Sequence, residues 1–91
     1  MKPSERVLNR IKNERIDKIP NLNIIMMFAA REIGVPYSKY CQNHRLLVEG
    51  NIVCAEKYGL DCVTTMSDPV KETSALGGKV IFPEDDVPYV E

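Results

Sequence analysis

The stretch from Tyr58 to Asp68, YGLDCVTTMSD, constrains the fold more than any other part of the chain. Gly59 is suited to the left-handed conformation that ends a helix. Leu60–Met66 is apolar and β-branched and has charged residues on both sides, which is typical of a buried parallel strand. Ser67 and Asp68 would follow its carboxyl end, where the next residue, a proline, prevents further pairing. Ligands bind at this edge in α/β folds, so Asp68 is the first candidate for a functional residue.

Helical patterns occupy much of the remaining chain. Asn43 is a suitable N-cap for a helix over His44–Tyr58, in which Gly50 costs about 1 kcal/mol relative to Ala. The spacing of apolar residues predicts which side of that helix faces the core, namely Leu47, Val48, Ile52, Ala55 and Tyr58. Further helices are predicted over residues 3–14, Phe28–Ile33 and Val70–Leu76, with a short helical turn starting near Pro36.

Two more segments have the composition of strands, Asn21–Met27 and Lys79–Phe82. Strands and helices then alternate along the chain, which predicts an α/β fold of parallel βαβ units with Leu60–Met66 beside Lys79–Phe82. The 91 residues allow at most one small domain. Because the chain stops in an acidic loop after a strand, residues 1–91 are expected to form a single partial domain, the first part of something larger.

Composition excludes several classes of function. The net charge of −1 gives no electrostatic basis for binding nucleic acid or an anionic membrane. No apolar run reaches the length of a secretory signal or a membrane span. The three cysteines are an odd number without the spacing of a disulfide framework, which favours reduced thiols in the cytoplasm.

A set of short segments, each weak alone, occurs in an order and spacing that resemble one family. The chain resembles the N-terminal quarter of the uroporphyrinogen decarboxylase family, which also contains corrinoid-dependent methyltransferases such as methylcobamide:coenzyme M methyltransferase. The segments are Glu5-Arg6-Val7, Asp17-Lys18-Ile19-Pro20, Phe28-Ala29-Ala30, Tyr37-Ser38-Lys39-Tyr40, Glu56-Lys57-Tyr58-Gly59-Leu60-Asp61, Ser67-Asp68, Ala75-Leu76-Gly77 and Phe82-Pro83-Glu84-Asp85-Asp86-Val87-Pro88.

The resemblance implies a fold and a catalytic residue. It implies that the chain is the N-terminal fragment of a (β/α)₈ barrel, with short parallel strands, covering helices and the active site at the carboxyl ends of the strands. Asp68 matches the catalytic aspartate of the decarboxylases' Phe-Ser-Asp motif, with Met66 in place of the Phe. Ser67 is then expected to contact the substrate.

One departure separates the two branches of the family. Where the decarboxylases carry Met-Arg-Gln-Ala-Gly-Arg to bind acidic side chains, this chain has Met27-Phe28-Ala29-Ala30-Arg31-Glu32. Phe28 and Glu32 thus replace the two arginines, and Met27 and Phe28 become the expected substrate contacts. Because a polycarboxylate substrate needs fixed guanidinium groups, the methyltransferase branch fits better. That branch implies a corrinoid, a partner corrinoid protein and a zinc ion, whose His-x-Cys and distant Cys ligands have no counterpart here.

Simpler interpretations compete with each of these assignments. Asp68 could be a turn or capping carboxylate. The acidic residues Glu84–Asp86 could attract a cation, although such loops are usually only solvated. A zinc site is not favoured, because one candidate cysteine would lie in a helix and one in a buried strand. The residues considered for that site are Cys41, His44, Cys54 and Cys62.

Two classes of function remain open from the sequence. The first is the N-terminal part of a family enzyme, with methyl transfer favoured and uroporphyrinogen decarboxylation in porphyrin biosynthesis as the alternative. In that case the isolated chain should be inactive and should self-associate through an exposed sheet face. The second is a stand-alone small α/β protein that works by association with a partner.

Overall fold

The computed structural model describes residues 1–91, in which helices predominate over a single two-stranded sheet. The helices and strands are α1 (Pro3–Ile11), α2 (Met26–Glu32), α3 (Tyr37–Gln42), α4 (His44–Tyr58), α5 (Lys71–Ala75), β1 (Val80–Ile81) and β2 (Tyr89–Val90). This α-rich architecture is consistent with part of an α/β domain. No helix is both long enough and apolar enough to cross a membrane.

The longest helix, α4, begins and ends at the residues that the sequence predicts. The Asn43 side-chain oxygen accepts hydrogen bonds from the backbone N–H groups of Arg45 (3.0 Å) and Leu46 (3.4 Å). Gly59 has φ 68°, so it takes the left-handed conformation that favours glycine and ends the helix. Local chemistry therefore determines both ends of α4.

The buried side of α4 differs from the predicted one. Val48, Ile52 and Tyr58 are about half exposed, so their assignment to the core was wrong. The residues of α4 that are buried are Leu47, Gly50, Asn51 and Cys54. Gly50 is the reason, because a Cβ there would lie only 3.0 Å from the Tyr40 ring and 3.2 Å from the Ala29 Cβ. The missing side chain lets α2 and α3 approach α4 closely on that side.

The hydrophobic core lies between α2, α3 and α4. Small residues of α2 meet α4, and two aromatic rings of α3, 6.0 Å apart, fill the space beside them. The Tyr40 hydroxyl accepts a hydrogen bond from the buried Asn51 amide at 3.0 Å, which satisfies both polar groups. The buried hydrophobic residues are Ala29, Ala30, Tyr37, Tyr40, Cys41, Leu47 and Cys54.

The predicted parallel strands are absent. Leu60–Met66 is not a strand, and residues 62–66 are exposed and make no backbone–backbone hydrogen bond. Part of the predicted strand Lys79–Phe82 does form as β1, but it pairs antiparallel with β2, with Val80 opposite Val90. The predicted strand Asn21–Met27 is also wrong, because α2 begins at Met26. A β-rich composition produces a strand only where a neighbouring strand supplies hydrogen bonds, and residues 62–66 have none.

An ion-pair cluster attaches α1 to the body of the molecule. Arg6 is buried, and its Nε and Nη2 atoms donate to the two carboxylate oxygens of Asp17 at 2.8 and 3.0 Å. Its Nη1 atom donates to Asp61. Asp61 and Asn21 also exchange two hydrogen bonds, from the Asn21 N–H to the Asp61 carboxylate (2.8 Å) and from the Asp61 N–H to the Asn21 carbonyl (2.9 Å).

The close approach at Gly50 predicts the effect of a β-branched side chain there. Gly50→Val should lower the free energy of unfolding by about 1–3 kcal/mol, because the new methyl groups overpack the contact with α2 and α3. The measurement is urea denaturation followed by far-UV circular dichroism. Glu49→Val, at the neighbouring exposed position, is the control for a β-branched side chain in this part of α4, and helix propensity alone would favour valine over glycine at position 50. Equal losses in the two variants would contradict this role of Gly50.

The pair between Arg6 and Asp17 predicts an acid dependence of stability. The guanidinium of Arg6 donates to Asp17 and holds the pKa of that carboxyl well below its usual range. A folded-state pKa below the unfolded value of about 3.9 stabilises the protein above that pH and loses its effect as the pH falls. Asp17→Asn should therefore flatten the decline in urea midpoint between about pH 4 and pH 2.

Removing the partner provides the control for that experiment. Arg6→Gln should also flatten the acid decline, because the pKa of Asp17 is then no longer lowered by the guanidinium. The double variant should flatten the decline little more than Arg6→Gln alone, since the loss of Arg6 already removes its interaction with Asp17. An acid decline in Asp17→Asn as steep as that of the unmodified chain would contradict the assignment.

Candidate functional site

The loop that joins the exposed residues 62–66 to α5 contains Ser67 and Asp68. Their exposed fractions are 0% and 3%, although the residues before and after them are exposed. One carboxylate oxygen of Asp68 accepts a hydrogen bond from the Ser67 hydroxyl at 2.7 Å, and the other accepts one from the Val70 N–H at 3.0 Å. Two of the predicted site residues are therefore in direct contact, and the turn-capping contact considered for Asp68 is present as well.

Asp68 forms part of the wall of a surface depression of about 380 Å³. The lining combines polar residues, namely two threonines, a lysine and two acidic residues, with apolar ones. A ligand held there would meet both hydrogen-bonding residues and the apolar side chains of Met66 and Pro69. The lining residues are Thr64, Thr65, Met66, Asp68, Pro69, Lys71 and Glu72.

Side-chain and backbone groups of α3 form hydrogen bonds with the loop that contains Ser67 and Asp68. The Tyr37 hydroxyl donates to the carbonyl oxygen of Ser67, and the Cys41 thiol approaches the same oxygen at 3.8 Å. In the other direction, the Lys71 ammonium donates to the backbone carbonyl of Cys41. The loop and α3 are thus connected on both sides of Asp68.

Burial keeps these α3 side chains in their neutral forms. Desolvation raises the pKa of Tyr37 well above its usual value and raises the pKa of the Cys41 thiol to about 11. At neutral pH both groups are protonated, so each carries the hydrogen that the Ser67 carbonyl accepts. A protonated, buried thiol is also a poor nucleophile and a poor metal ligand.

The acidic loop Glu84–Asp86 binds the start of α3. The Glu84 carbonyl accepts the Ser38 N–H at 2.9 Å, and the Asp85 carboxylate accepts the Tyr37 N–H at 3.4 Å. All three residues are exposed, as expected for a solvated loop, and the loop in addition contacts α3. It satisfies backbone donors that α3 cannot satisfy within itself.

The other two predicted site residues contact a different part of the chain. Met27 packs against the core, and its sulfur lies 3.7 Å from an Arg31 guanidinium nitrogen. Phe28 is 46% exposed and packs against the Tyr58 ring, with the ring centroids 5.3 Å apart. None of their hydrogen bonds or ring contacts reaches Asp68.

Glu32, on α2, has cationic and hydroxyl partners. Its carboxylate oxygens accept hydrogen bonds from the Lys57 ammonium at 2.9 Å and the Tyr58 hydroxyl at 3.0 Å. The hydrogen bond from Lys57 is the main reason why the pKa of Glu32 lies below its usual value, and the bond from Tyr58 also contributes. The C-terminal end of α4 therefore neutralises the charge that Glu32 adds to α2.

The cysteines do not form a metal site with their neighbours. Cys41 and Cys54 are buried, and desolvation raises the pKa of both thiols. Cys62 is exposed, so its predicted burial in a strand was wrong. No group of three His, Cys, Asp or Glu side chains is arranged to hold a metal ion.

Sequence reasoning missed the roles of Tyr37 and Cys41. Their four-residue separation on α3 places both side chains on one face, which is the only local signal. Their partner lies 30 and 26 residues further along the chain, at Ser67. Only the tertiary structure connects them with the site.

Comparison with known proteins relates the whole chain to one family. A family model described as uroporphyrinogen decarboxylase (URO-D) matches residues 2–91. No curated protein and no solved structure matches the chain.

Proposed function

The chain belongs to the uroporphyrinogen decarboxylase family, and we propose that it is the N-terminal part of a family enzyme that transfers a methyl group between a corrinoid and a small acceptor. The observation that carries the choice of reaction is on α2. Phe28 and Glu32 stand where the decarboxylases have the two arginines that bind substrate carboxylates. Asp68 would line the pocket in which the acceptor binds.

The contacts of α2 support a substrate with few negative charges. Carboxylates are bound most strongly by guanidinium groups with fixed, forked geometry. Phe28 offers a half-exposed ring, and Glu32 is already paired with Lys57. The remaining cation on this helix, Arg31, is exposed and extends along α2 towards Met27. This surface suits an apolar or neutral group better than a polycarboxylate.

The contacts of Asp68 support a role in orienting a bound group. Each of its carboxylate oxygens has one hydrogen-bond donor, and a carboxylate oxygen has room for a second. A hydroxyl, thiol or amide of a bound acceptor could donate to it from the depression. Fixed acceptors of this kind reduce the number of orientations that a substrate samples.

No group of three ligating side chains among the 91 residues is arranged to hold the zinc ion implied by this reaction. The buried thiols of Cys41 and Cys54 are protonated and neither belongs to a group of three ligating side chains, so they do not fit a zinc ion. In methyltransferases a bound zinc ion activates the thiol that receives the methyl group. We propose that its ligands lie in a segment outside these residues and that a partner protein carries the corrinoid.

The complete enzyme that contains this chain provides the test of the reaction. With a methylated corrinoid and a thiol acceptor, it should form the methyl thioether, and with uroporphyrinogen it should form little coproporphyrinogen. Asp68→Asn should lower turnover of methyl transfer by about a hundredfold, since it removes the charge from a fixed acceptor. Cys54→Ala, a buried change outside the Asp68 loop, is the matched control and should act through stability alone.

Two results would contradict this proposal in different ways. Robust formation of coproporphyrinogen would show that other cations replace the missing arginines, and the decarboxylase assignment would then stand. Unchanged kinetics in Asp68→Asn would return this residue to the role of a turn carboxylate, whichever reaction the enzyme catalyses.

We also propose that the 91-residue chain alone is inactive and self-associates. The expected sheet face does not exist, and the exposed apolar surface is formed instead by Val48 and Ile52 of α4 with Val63 beside them. Each of these side chains is almost half exposed. Burying a few hundred Å² of such surface contributes several kcal/mol at about 25 cal/mol per Å².

Light scattering at micromolar concentration should therefore report a dimer or a larger species. Replacing both Val48 and Ile52 by Glu should give a monomer, because charged residues at the centre of an apolar contact oppose its desolvation. Leu76→Glu is the matched control, since Leu76 is 88% exposed and lies outside this surface. A monomeric unmodified chain, or the same shift in all variants, would contradict the proposed contact.

A further inference from the structure

Tyr37 is a buried titratable group that has no part in the proposed chemistry and yet contacts the candidate site. Its exposed fraction is 1%, and its ring lies in the core beside Tyr40. Its hydroxyl donates to the carbonyl oxygen of Ser67, which is itself fully buried. The only other donor near that oxygen is the Cys41 thiol, at 3.8 Å.

The contact bears directly on the orientation of Asp68. The Ser67 carbonyl belongs to the planar peptide unit that also contains the N–H of Asp68, so fixing the carbonyl fixes the position at which the Asp68 backbone begins. The Ser67 hydroxyl, on the same residue, donates to the Asp68 carboxylate at 2.7 Å. The Val70 N–H holds the second carboxylate oxygen at 3.0 Å.

Tyr37 is itself held from two directions. Its backbone N–H donates to Asp85 of the acidic loop, and the next N–H, of Ser38, donates to the Glu84 carbonyl. One turn further along α3, the Tyr40 ring packs against Gly50 of α4, where a Cβ would lie 3.0 Å from the ring. The hydroxyl of Tyr37 therefore projects from a helix whose position is set by contacts outside the site.

We infer that Tyr37 is a positioning residue, whose hydroxyl fixes the peptide unit between Ser67 and Asp68 and thereby the direction of the Asp68 carboxylate. This inference rests on the proposed role of Asp68 in binding substrate. A tyrosine that only filled the core would need its ring and not its hydroxyl. Tyr37→Phe, which removes the hydroxyl and keeps the ring, therefore distinguishes a positioning role from a role in packing.

Hydrogen exchange in the 91-residue chain, followed by NMR, tests the inference without substrate. Tyr37→Phe should speed exchange of the Val70 amide by about tenfold relative to core amides of α4, because the loop loses its strongest anchor. Tyr40→Phe is the matched control. It removes a buried hydroxyl from the same helix, but one bonded to Asn51, and should leave the ratio of Val70 to α4 exchange unchanged.

A second pair of variants applies if Tyr37→Phe does not fold. Cys41→Ala removes the weaker donor and should speed Val70 exchange by about threefold, whereas Cys54→Ala, at an equally buried cysteine that does not contact Ser67, should not. Identical exchange patterns within each pair would overturn the inference. Because these measurements involve no turnover, they stand apart from the kinetic test of Asp68, and either can fail alone.

Discussion

The close packing of α2 and α3 against α4 at Gly50 is the contact on which the other features depend. A side chain at this position would meet the Tyr40 ring and the Ala29 backbone within about the distance at which atoms repel. Its absence lets α3 lie near enough to α4 for the Tyr40 hydroxyl to reach Asn51. A glycine that weakens an isolated helix is therefore required by the tertiary structure, and its cost in helix propensity is offset by packing.

The position of α3 connects two loops that are distant in sequence. The acidic loop Glu84–Asp86 accepts hydrogen bonds from backbone donors at the start of α3. The side chain of Tyr37, on α3, donates to the Ser67 carbonyl, which precedes Asp68. The site thus combines local and long-range constraints. The hydroxyl of Ser67 and the N–H of Val70 hold the carboxylate from the adjacent chain, while α3 holds the backbone from across the molecule.

The parts of the fold that local chemistry determines could be predicted from the sequence. Asn43 and Gly59 define α4 because each acts on its own turn of the helix. The apolar pattern of Leu60–Met66 wrongly predicted a strand, because a strand requires a partner and the pattern does not reveal whether one is present. Ser67 and Asp68 were recognised as neighbours in a loop, but the contact with Tyr37 spans 30 residues and leaves no local pattern.

The reciprocal hydrogen bonds between Asn21 and Asp61 have a consequence for how this chain can change over time. They bring together the two ends of the segment that carries α2, α3 and α4, so this segment leaves and rejoins the rest of the chain at one place. A unit whose ends meet in space can be exchanged, duplicated or circularly permuted without stretching the flanking chain. Recombination or protein engineering can therefore exchange residues 22–60 as one segment, provided that Asn21 and Asp61 remain at its boundary and that α3 keeps its contacts with Ser67, Lys71 and the loop Glu84–Asp86.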